Sequence, residues 1–267
     1  MPGGLASGLS CGLVIHESET DGIVTLRLAH GKASALDLDL TDGLAAALET
    51  LARKRTRGVV LTGTGAIFSA GVDLYKLVNG GSEYAAHFLP SLDYMFEALF
   101  TFPAPVVAAV NGHAIAGGCV LACACDRRLM AAGTARIGVP ELKVGVPFPP
   151  LVVEILRASI PPPHFNELLY VGRTYEPADA LARGVVDELV APDALASRAH
   201  AVAVELAAAP AESFTLTKRA MRMAYVDRAR RTMDIDAAEL MAAWTSDTTR
   251  AAIRSYLEKT LENKQPH

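Results

Sequence analysis

The stretch Val106-Val-Ala-Ala-Val-Asn-Gly-His-Ala-Ile-Ala-Gly-Gly-Cys119 contains an apolar run, a turn and the start of an alanine-rich helix. Five apolar residues bounded by turn residues are typical of a buried strand. Asn111-Gly112 then turns the chain, and a helix is predicted to begin near Gly117. The first peptide N–H groups of a helix have no partner within it, and the helix dipole adds positive charge there. Gly117 therefore leaves room for an oxygen atom to approach these groups, although a tightly packed junction without a ligand explains the glycines equally well.

A second glycine-containing segment, Phe68-Ser-Ala-Gly-Val-Asp-Leu74, follows the apolar strand predicted at Gly58–Thr62. We expect the peptide N–H of Ala70 to face the same cavity as that of Gly117. The alternative is a simple turn in which Gly71 adopts positive φ and Asp73 caps the following helix. The segment alone does not separate these interpretations.

Strands and helices alternate along the first 160 residues, which predicts a mainly parallel α/β core. Asp21-Gly22 between two apolar runs predicts a β-hairpin. Because ligand sites in such folds collect where strands end and helices begin, both glycine segments lie at favoured places. The predicted helices cover residues 35–53 and 83–102, and the predicted central strands are Gly58–Thr62, Val106–Val110 and Arg127–Ala131.

The chain becomes helical in pattern from about residue 161 onward. This region is rich in Ala, Leu, Arg and Glu, and we expect it to pack on the core or on a neighbouring subunit. The expected organisation is a flexible tail at residues 1–10, an α/β core at 11–200 and a helical region at 201–267. From residue 161 onward, the predicted helices cover residues 164–171, 177–183, 194–209 and 210–264.

Composition narrows the class of protein. Of 267 residues, 51% are hydrophobic and 20% are charged, which supports a sizeable core and excludes global disorder. A net charge of −4 gives no basic surface for nucleic acid. No signal peptide is evident, and the apolar segment 105–125 is interrupted by Asn111, His113 and glycines, so we expect a soluble cytoplasmic protein without a membrane partner.

Three of the four cysteines are clustered as Cys119, Cys123 and Cys125. Their spacing matches no common zinc pattern, and Cys119 and Cys123 are one helical turn apart. We therefore expect buried, reduced thiols and no metal site, which suits a reducing cytoplasm.

Taken together and in this order, the segments resemble the enoyl-CoA hydratase/isomerase (crotonase) superfamily over about residues 12–260. The resemblance implies an α/β crotonase (ClpP-like) fold, in which stacked β-sheets of repeated ββα units precede a helical C-terminal region. The segments that carry it are Lys32-Ala-Ser-Ala-Leu36, Phe68-Ser-Ala-Gly-Val-Asp-Leu74, Asn111-Gly-His-Ala-Ile-Ala-Gly-Gly-Cys119, Cys125-Asp126, Gly138-Val-Pro-Glu-Leu-Lys-Val-Gly145, Ala178-Asp-Ala-Leu-Ala-Arg-Gly-Val-Val-Asp187 and Tyr256-Leu-Glu-Lys259.

The resemblance implies an acyl-CoA thioester substrate whose carbonyl oxygen lies between the peptide N–H groups of Ala70 and Gly117. Coenzyme A is then part of the substrate, and no metal or other cofactor is required. For Lys76, a contact with CoA phosphate and a purely solvated lysine are both open. The residues implied to contact CoA are Lys32, Ala33, Ala35, Asp73, Leu74, Lys76, Tyr256 and Lys259.

Glu141 is the acid/base that the resemblance implies, although a glutamate taken alone is usually a surface residue. Typical hydratases use a second glutamate to activate water, and Val120 stands at its place. Val146-Pro-Phe-Pro-Pro150 replaces the glycine-rich turn common in hydratases. These departures resemble the Δ3,Δ2-enoyl-CoA isomerases, which work with one glutamate. Dienoyl-CoA isomerases would need acidic groups at Val120 and near Pro149.

Three alternatives remain open from the sequence. A hydratase or thioester hydrolase would take its second polar group from the segment that covers the acyl pocket. A non-catalytic acyl-CoA-binding or assembly protein is compatible with Val120 but less so with Glu141. The candidate second polar groups for the hydratase or hydrolase are Glu83, His87, Asp93 and Glu97.

His113 is expected to be a packed histidine at a strand end. The C-terminal helices are expected to build a homotrimer or a hexamer of two trimers.

Overall fold

The computed structural model describes residues 14–262, with side chains described through residue 259. The tail predicted at residues 1–10 and the thiol of Cys11 lie outside the described residues. The strands are β1 (Ile15–Thr20), β2 (Ile23–Leu28), β3 (Gly58–Thr62), β4 (Ile67–Ser69), β5 (Val106–Val110), β6 (His113–Ile115), β7 (Arg127–Ala131), β8 (Ile137–Gly138), β9 (Thr174–Tyr175) and β10 (Glu188–Val190).

Helices cover most of the remaining described chain. They are α1 (Leu38–Arg53), α2 (Leu74–Phe100), α3 (Gly117–Ala124), α4 (Glu141–Val144), α5 (Pro150–Ser159), α6 (Pro162–Asn166), α7 (Pro177–Ala182), α8 (Leu195–Leu206), α9 (Ala211–Thr245) and α10 (Asp247–Glu262), together with a π-helical turn at Glu167–Val171 and a 3₁₀ turn at Pro192–Ala194.

Two stacked sheets form the core, as the predicted fold class requires. The larger has the order β1-β2-β3-β5-β7-β10, and the smaller has the order β4-β6-β8-β9. Three consecutive units place one strand in each sheet and follow them with a helix, namely β3-β4-α2, β5-β6-α3 and β7-β8-α4. All pairs between these units are parallel, which confirms the predicted mainly parallel α/β core with repeated ββα units.

The hairpin predicted around Asp21 and Gly22 is confirmed. Strands β1 and β2 pair antiparallel, with Thr20 opposite Ile23. Both turn residues have positive φ, as a two-residue hairpin turn requires. The three central strands also have the predicted bounds.

Two predicted helices begin elsewhere in the structure. The helix predicted at residues 35–53 begins at Leu38, because Leu36 forms a parallel bridge with Val72 and Asp37 caps the helix by accepting the N–H of Leu40. The helix predicted at residues 83–102 begins at Leu74, where the Asp73 carboxylate accepts the N–H of Lys76 at 3.0 Å. Capping by Asp73 is therefore confirmed.

The backbone of α2 is interrupted at Gly81, where φ is +60° and ψ is −149°. This conformation is essentially restricted to glycine. The segment 74–80 and the segment 82–100 are thus two helical rods joined at one residue. Pro90 lies within the second rod.

The C-terminal stretch predicted as a single helical segment is two helices, α9 and α10, separated at Ser246. Helix α9 packs on α5 and α2 of the same chain, and α10 contacts α2 and α4. The expected boundary at residue 200 falls inside α8. The C-terminal helices therefore reach the core of their own subunit, which decides what lines the site.

The three cysteines of the described chain, Cys119, Cys123 and Cys125, are buried and unpaired, as predicted. Within residues 14–262, no helix combines the length and the apolar character needed to cross a membrane.

Candidate active site

The two glycine segments predicted to share a cavity lie side by side. Gly71 has φ of +80°, and a Cβ atom placed on it would lie 2.9 Å from the Gly117 nitrogen and 2.7 Å from the Ala116 Cβ. A larger residue at this position would therefore push the two segments apart. The backbone at Gly71 is held against the backbone of Ala116 and Gly117 at the start of α3.

Gly117 is the first residue of α3, and its N–H has no intrahelical acceptor. The neighbouring N–H of Ala116 donates to the Gly138 carbonyl at 2.8 Å, while Cys119 and Val120 donate to the Ala116 carbonyl. The Gly117 N–H makes no hydrogen bond to any described residue. The N–H is therefore free within the described structure, and its role in binding a ligand oxygen stays a prediction.

The predicted donor Ala70 is not available. Its N–H donates to the Ala33 carbonyl at 3.0 Å, so the expected role of Ala70 in binding an oxyanion is wrong for this structure. Leu36 donates its N–H to Gly71 and accepts the N–H of Asp73. Because these two bonds use the edge that faces Leu36, the N–H of Val72 points to the opposite side. Val72, two residues after Ala70, is thus the second donor candidate.

A small cavity adjoins these donors. Val72 and Ala116 belong to its wall, as do Glu141 from α4 and two residues of the C-terminal helices, Trp244 and Tyr256. The other wall residues are apolar: Ala70, Leu74, Ile115, Pro140, Val144 and Val146. The predicted base and both donor segments therefore meet in one place.

Glu141 begins α4, and its Oε2 is buried without a hydrogen-bond partner among the described residues. Burial raises the pKa of its carboxyl group to about 8, and a hydrogen bond from its own N–H opposes the rise. Val120, three residues after Gly117, is completely buried and apolar. One carboxyl group with a strongly perturbed pKa thus lies beside the free peptide donors.

Of the eight residues expected to contact CoA, two line the Glu141 cavity and six do not. Leu74 and Tyr256 lie in the wall of the Glu141 cavity. Lys32 and Lys259 are exposed, while Ala33 and Ala35 are partly buried in the loop before Leu36. The Asp73 carboxylate caps α2.

Lys76 is not a freely solvated lysine, because its Nζ lies 2.6 Å from the Asp37 carboxylate and 3.8 Å from that of Asp39. Although burial favours the neutral acid, hydrogen bonds from Lys76, the Leu40 N–H and His30 hold the pKa of Asp37 below its ordinary value. His30, Asp37 and Asp39 are close enough together to suggest a cation site. The ammonium group of Lys76 already supplies the positive charge there.

Trp244 is the site residue that the sequence did not reveal. It is the only tryptophan of the chain, its side chain is 3% exposed, and its Nε1 is buried without a partner in the described structure. It lies 103 positions after Glu141 in sequence, at the end of a helix expected to pack either on the core or on a neighbouring subunit. Only the path of α9 over the core brings it to the cavity.

The rival polar groups do not line the Glu141 cavity. Glu83 and His87 are exposed on α2. Asp93 and Glu97 line a different cavity, between α2, α5 and α9, together with Arg230. His113, expected to be a packed strand-end residue, is partly buried and accepts the N–H of Arg136 at 3.1 Å through its Nδ1.

A family model described as enoyl-CoA hydratase/isomerase matches residues 18–265, which is most of the chain. The chain belongs to this family. The mouse mitochondrial enoyl-CoA delta isomerase 1 is 31% identical over 246 residues, with 91% of this chain and 85% of the mouse protein covered. A putative enoyl-CoA hydratase of Thermus thermophilus is 38% identical over 213 residues, covering 76% and 81%.

Among solved structures, the human mitochondrial Δ3,Δ2-enoyl-CoA isomerase superposes with a TM-score of 0.90 at 27% identity, covering 94% of this chain and all of that chain. The crotonase fold is thus confirmed. This member of the enoyl-CoA hydratase/isomerase family is an enzyme whose relatives include both isomerases and hydratases.

Proposed function

We propose that the protein is a Δ3,Δ2-enoyl-CoA isomerase in which Glu141 moves one proton. The observation that carries the proposal is the composition of the cavity wall: within the described structure, Glu141 is its one carboxyl group. An isomerase needs a single group that removes a proton from C2 of a 3-enoyl thioester and returns it at C4. The reaction requires no metal and no redox cofactor.

The peptide donors stabilise the intermediate of this reaction. Removal of the C2 proton sends electron density to the thioester oxygen and forms an enolate. We expect the N–H groups of Gly117 and Val72, neither of which has a partner in the described structure, to bind that oxygen. Each such preorganised donor contributes about 3 kcal/mol to the stability of the developing charge.

The environment of Glu141 suits its proposed role. A base with a pKa near the working pH balances the fraction in the ionised form against the strength of the base. Burial moves the pKa of Glu141 from its ordinary value to about 8. The apolar wall also limits the access of water, which favours return of the same proton to C4 over exchange with solvent.

Hydration of a 2-enoyl thioester is the second candidate, since the Thermus relative is called a putative hydratase. Val120 supplies no proton, and the nearest rival carboxyl groups in sequence, Asp93 and Glu97, line a separate cavity. Addition of water therefore has only Glu141 to activate the nucleophile. A poor hydratase activity is expected.

Assembly into a trimer, or a hexamer of two trimers, is part of the proposal, as is a cytoplasmic location. Helix α9 exposes large apolar side chains, with Leu216 47%, Met221 68% and Ile235 83% exposed. Apolar side chains in such numbers on one helix support a subunit interface. Light scattering at micromolar concentration tests the assembly, and a monomer would contradict it.

The deciding experiment compares 3-enoyl-CoA, 2-enoyl-CoA and 3-hydroxyacyl-CoA as substrates for the purified protein. We expect conversion of 3-enoyl-CoA to 2-enoyl-CoA, with hydration at least about tenfold slower, because one of two acid/base groups is missing. Running the reaction in D₂O shows whether the proton is retained. Efficient hydration that survives Glu141→Gln would contradict the proposal, and saturable binding without product would indicate a non-catalytic binder.

A further inference from the structure

Two residues that line the Glu141 cavity each have a buried polar atom that lacks a hydrogen-bond partner within the described chain. One is Oε2 of Glu141, and the other is Nε1 of Trp244. Buried polar atoms in folded proteins are nearly always hydrogen-bonded, so an unsatisfied pair in one cavity calls for an explanation.

The two atoms are chemically complementary. The indole N–H donates only, and an ionised carboxylate accepts only. They come from different elements, α4 and the end of α9, and both residues line the same cavity, which measures about 70 Å³. A water molecule takes up about 30 Å³ of the liquid, so the cavity has room for one or two.

We propose that Trp244 is a positioning residue for Glu141, donating its indole N–H toward the Glu141 carboxylate through one bridging water molecule. The bridge holds the carboxylate in one orientation and favours its ionised form, which is the form that accepts the C2 proton. The kinetic consequence rests on the proposed isomerase function. The pairing itself does not.

We assign the positioning of the Glu141 carboxylate to Trp244 rather than to the other titratable groups near these two residues. Cys119 on α3 interacts with Glu141, but its hydrogen bond with Cys123 and its burial hold the pKa of this thiol well above the usual range. Tyr256 from α10 also belongs to the wall. No lysine, arginine or histidine is part of the described wall, so no positive side chain there stabilises the carboxylate.

The absence of any other tryptophan makes the pairing directly measurable. When excitation lies beyond the absorption band of the seven tyrosines, emission from the protein comes from Trp244, and indole emission changes when a nearby carboxyl group gains or loses its proton. We expect a fluorescence transition between pH 7 and pH 9 in the ligand-free protein. It should disappear in Glu141→Gln and persist in Tyr256→Phe. A transition that persists in Glu141→Gln, or no transition at all, would overturn the proposal.

A second measurement tests the consequence for the proton transfer. Trp244→Phe removes the N–H but keeps an aromatic ring, and 3-benzothienylalanine at position 244 removes it with nearly unchanged shape. Loss of the donor should raise the pKa seen in kcat/KM by about one unit, which lowers kcat/KM about tenfold at pH 7 and restores it above the new pKa.

The two readouts separate the possible failures. A uniform loss of kcat/KM at every pH in the benzothienylalanine variant would show that Trp244 only packs, and would overturn the proposal. A Glu141-dependent fluorescence transition in a protein that does not isomerise 3-enoyl-CoA would refute the proposed function and support the pairing.

Discussion

Two buried carboxyl groups of this protein resemble each other at first sight. Glu141 and Asp93 each have an oxygen atom that is buried without a partner in the described structure. In both, burial is the main cause of a raised pKa, to about 8 for Glu141 and to about 6 for Asp93. A search for perturbed acids alone would select both.

Their surroundings differ in what they offer to a reacting molecule. Glu141 shares its cavity with Val72 and with Ala116, the residue that precedes Gly117 at the start of α3. Asp93 faces the ion pair of Glu97 and Arg230, whose charges respectively raise and lower its pKa. A shifted pKa therefore reports burial, whereas donors placed for a developing charge distinguish the chemical site.

The largest difference that we expect between Glu141 and Asp93 is in their contribution to catalytic activity. We expect Glu141→Gln to lower isomerisation by at least about 10²-fold, because a positioned general base provides that much or more. Asp93→Asn should leave the rate within about threefold of the wild type. Both changes are nearly isosteric and are measured with 3-enoyl-CoA at saturating and limiting concentrations. A large loss in Asp93→Asn with normal folding would move Asp93 into the catalytic machinery.

The donors are tested by replacing a single peptide N–H with an ester oxygen. An ester at Val72, introduced as the hydroxy acid, should lower kcat by roughly 10²-fold, as expected for one lost oxyanion donor. The same replacement at Ala70 is the control, since that N–H bonds Ala33; it should cost about 1 kcal/mol of stability and little turnover. The reverse result would restore Ala70 as the donor.

The pH dependence of the unfolding free energy gives a further contrast between Glu141 and Asp93. With a folded pKa of about 8, Glu141 stabilises the fold as the neutral acid below pH 4.5, and this contribution is lost as pH rises toward 8. Glu141→Gln does not titrate, so its advantage in unfolding free energy should grow by on the order of 4 kcal/mol between pH 5 and pH 8. Urea denaturation at several pH values measures this, and a difference independent of pH would refute the buried, ionisable state.

The unfolding free energy of the Asp93→Asn variant should also rise relative to that of the wild type as pH increases, but over a lower and narrower pH range. Because the folded pKa is about 6, the stabilising contribution of the neutral acid is lost between about pH 4 and pH 6. The variant should gain up to about 3 kcal/mol over that range and nothing more above pH 7. A gain that continues to pH 8, as expected for Glu141→Gln, would show that the two sites titrate alike.

Much of this molecule follows from short-range patterns. The expectation for Glu141 came from the family resemblance, but the apolar runs, the Asp21-Gly22 turn and the glycine junctions predict the strands, the hairpin and the meeting of the two glycine segments. These features depend on local chemistry that a sequence states directly.

The remainder depends on contacts between distant segments. The direction of the Val72 N–H is set by its bridge to Leu36, a residue far along the chain, and so the sequence pointed to Ala70 instead. The same bridge delays the start of α1. Trp244 reaches the cavity only through the packing of α9 on α5 and α2, which no local pattern encodes.

The interruption of α2 at Gly81 has a consequence for how this site can change over generations. In one continuous helix, inserting a residue rotates everything beyond it by about 100° and would turn a buried face toward solvent. Here the rod that carries Leu74 and Lys76 meets the rod that buries Phe96 at a residue free of helical geometry. The phase of one rod is therefore independent of the phase of the other, and the wall of the cavity can gain or lose residues while the core keeps its register.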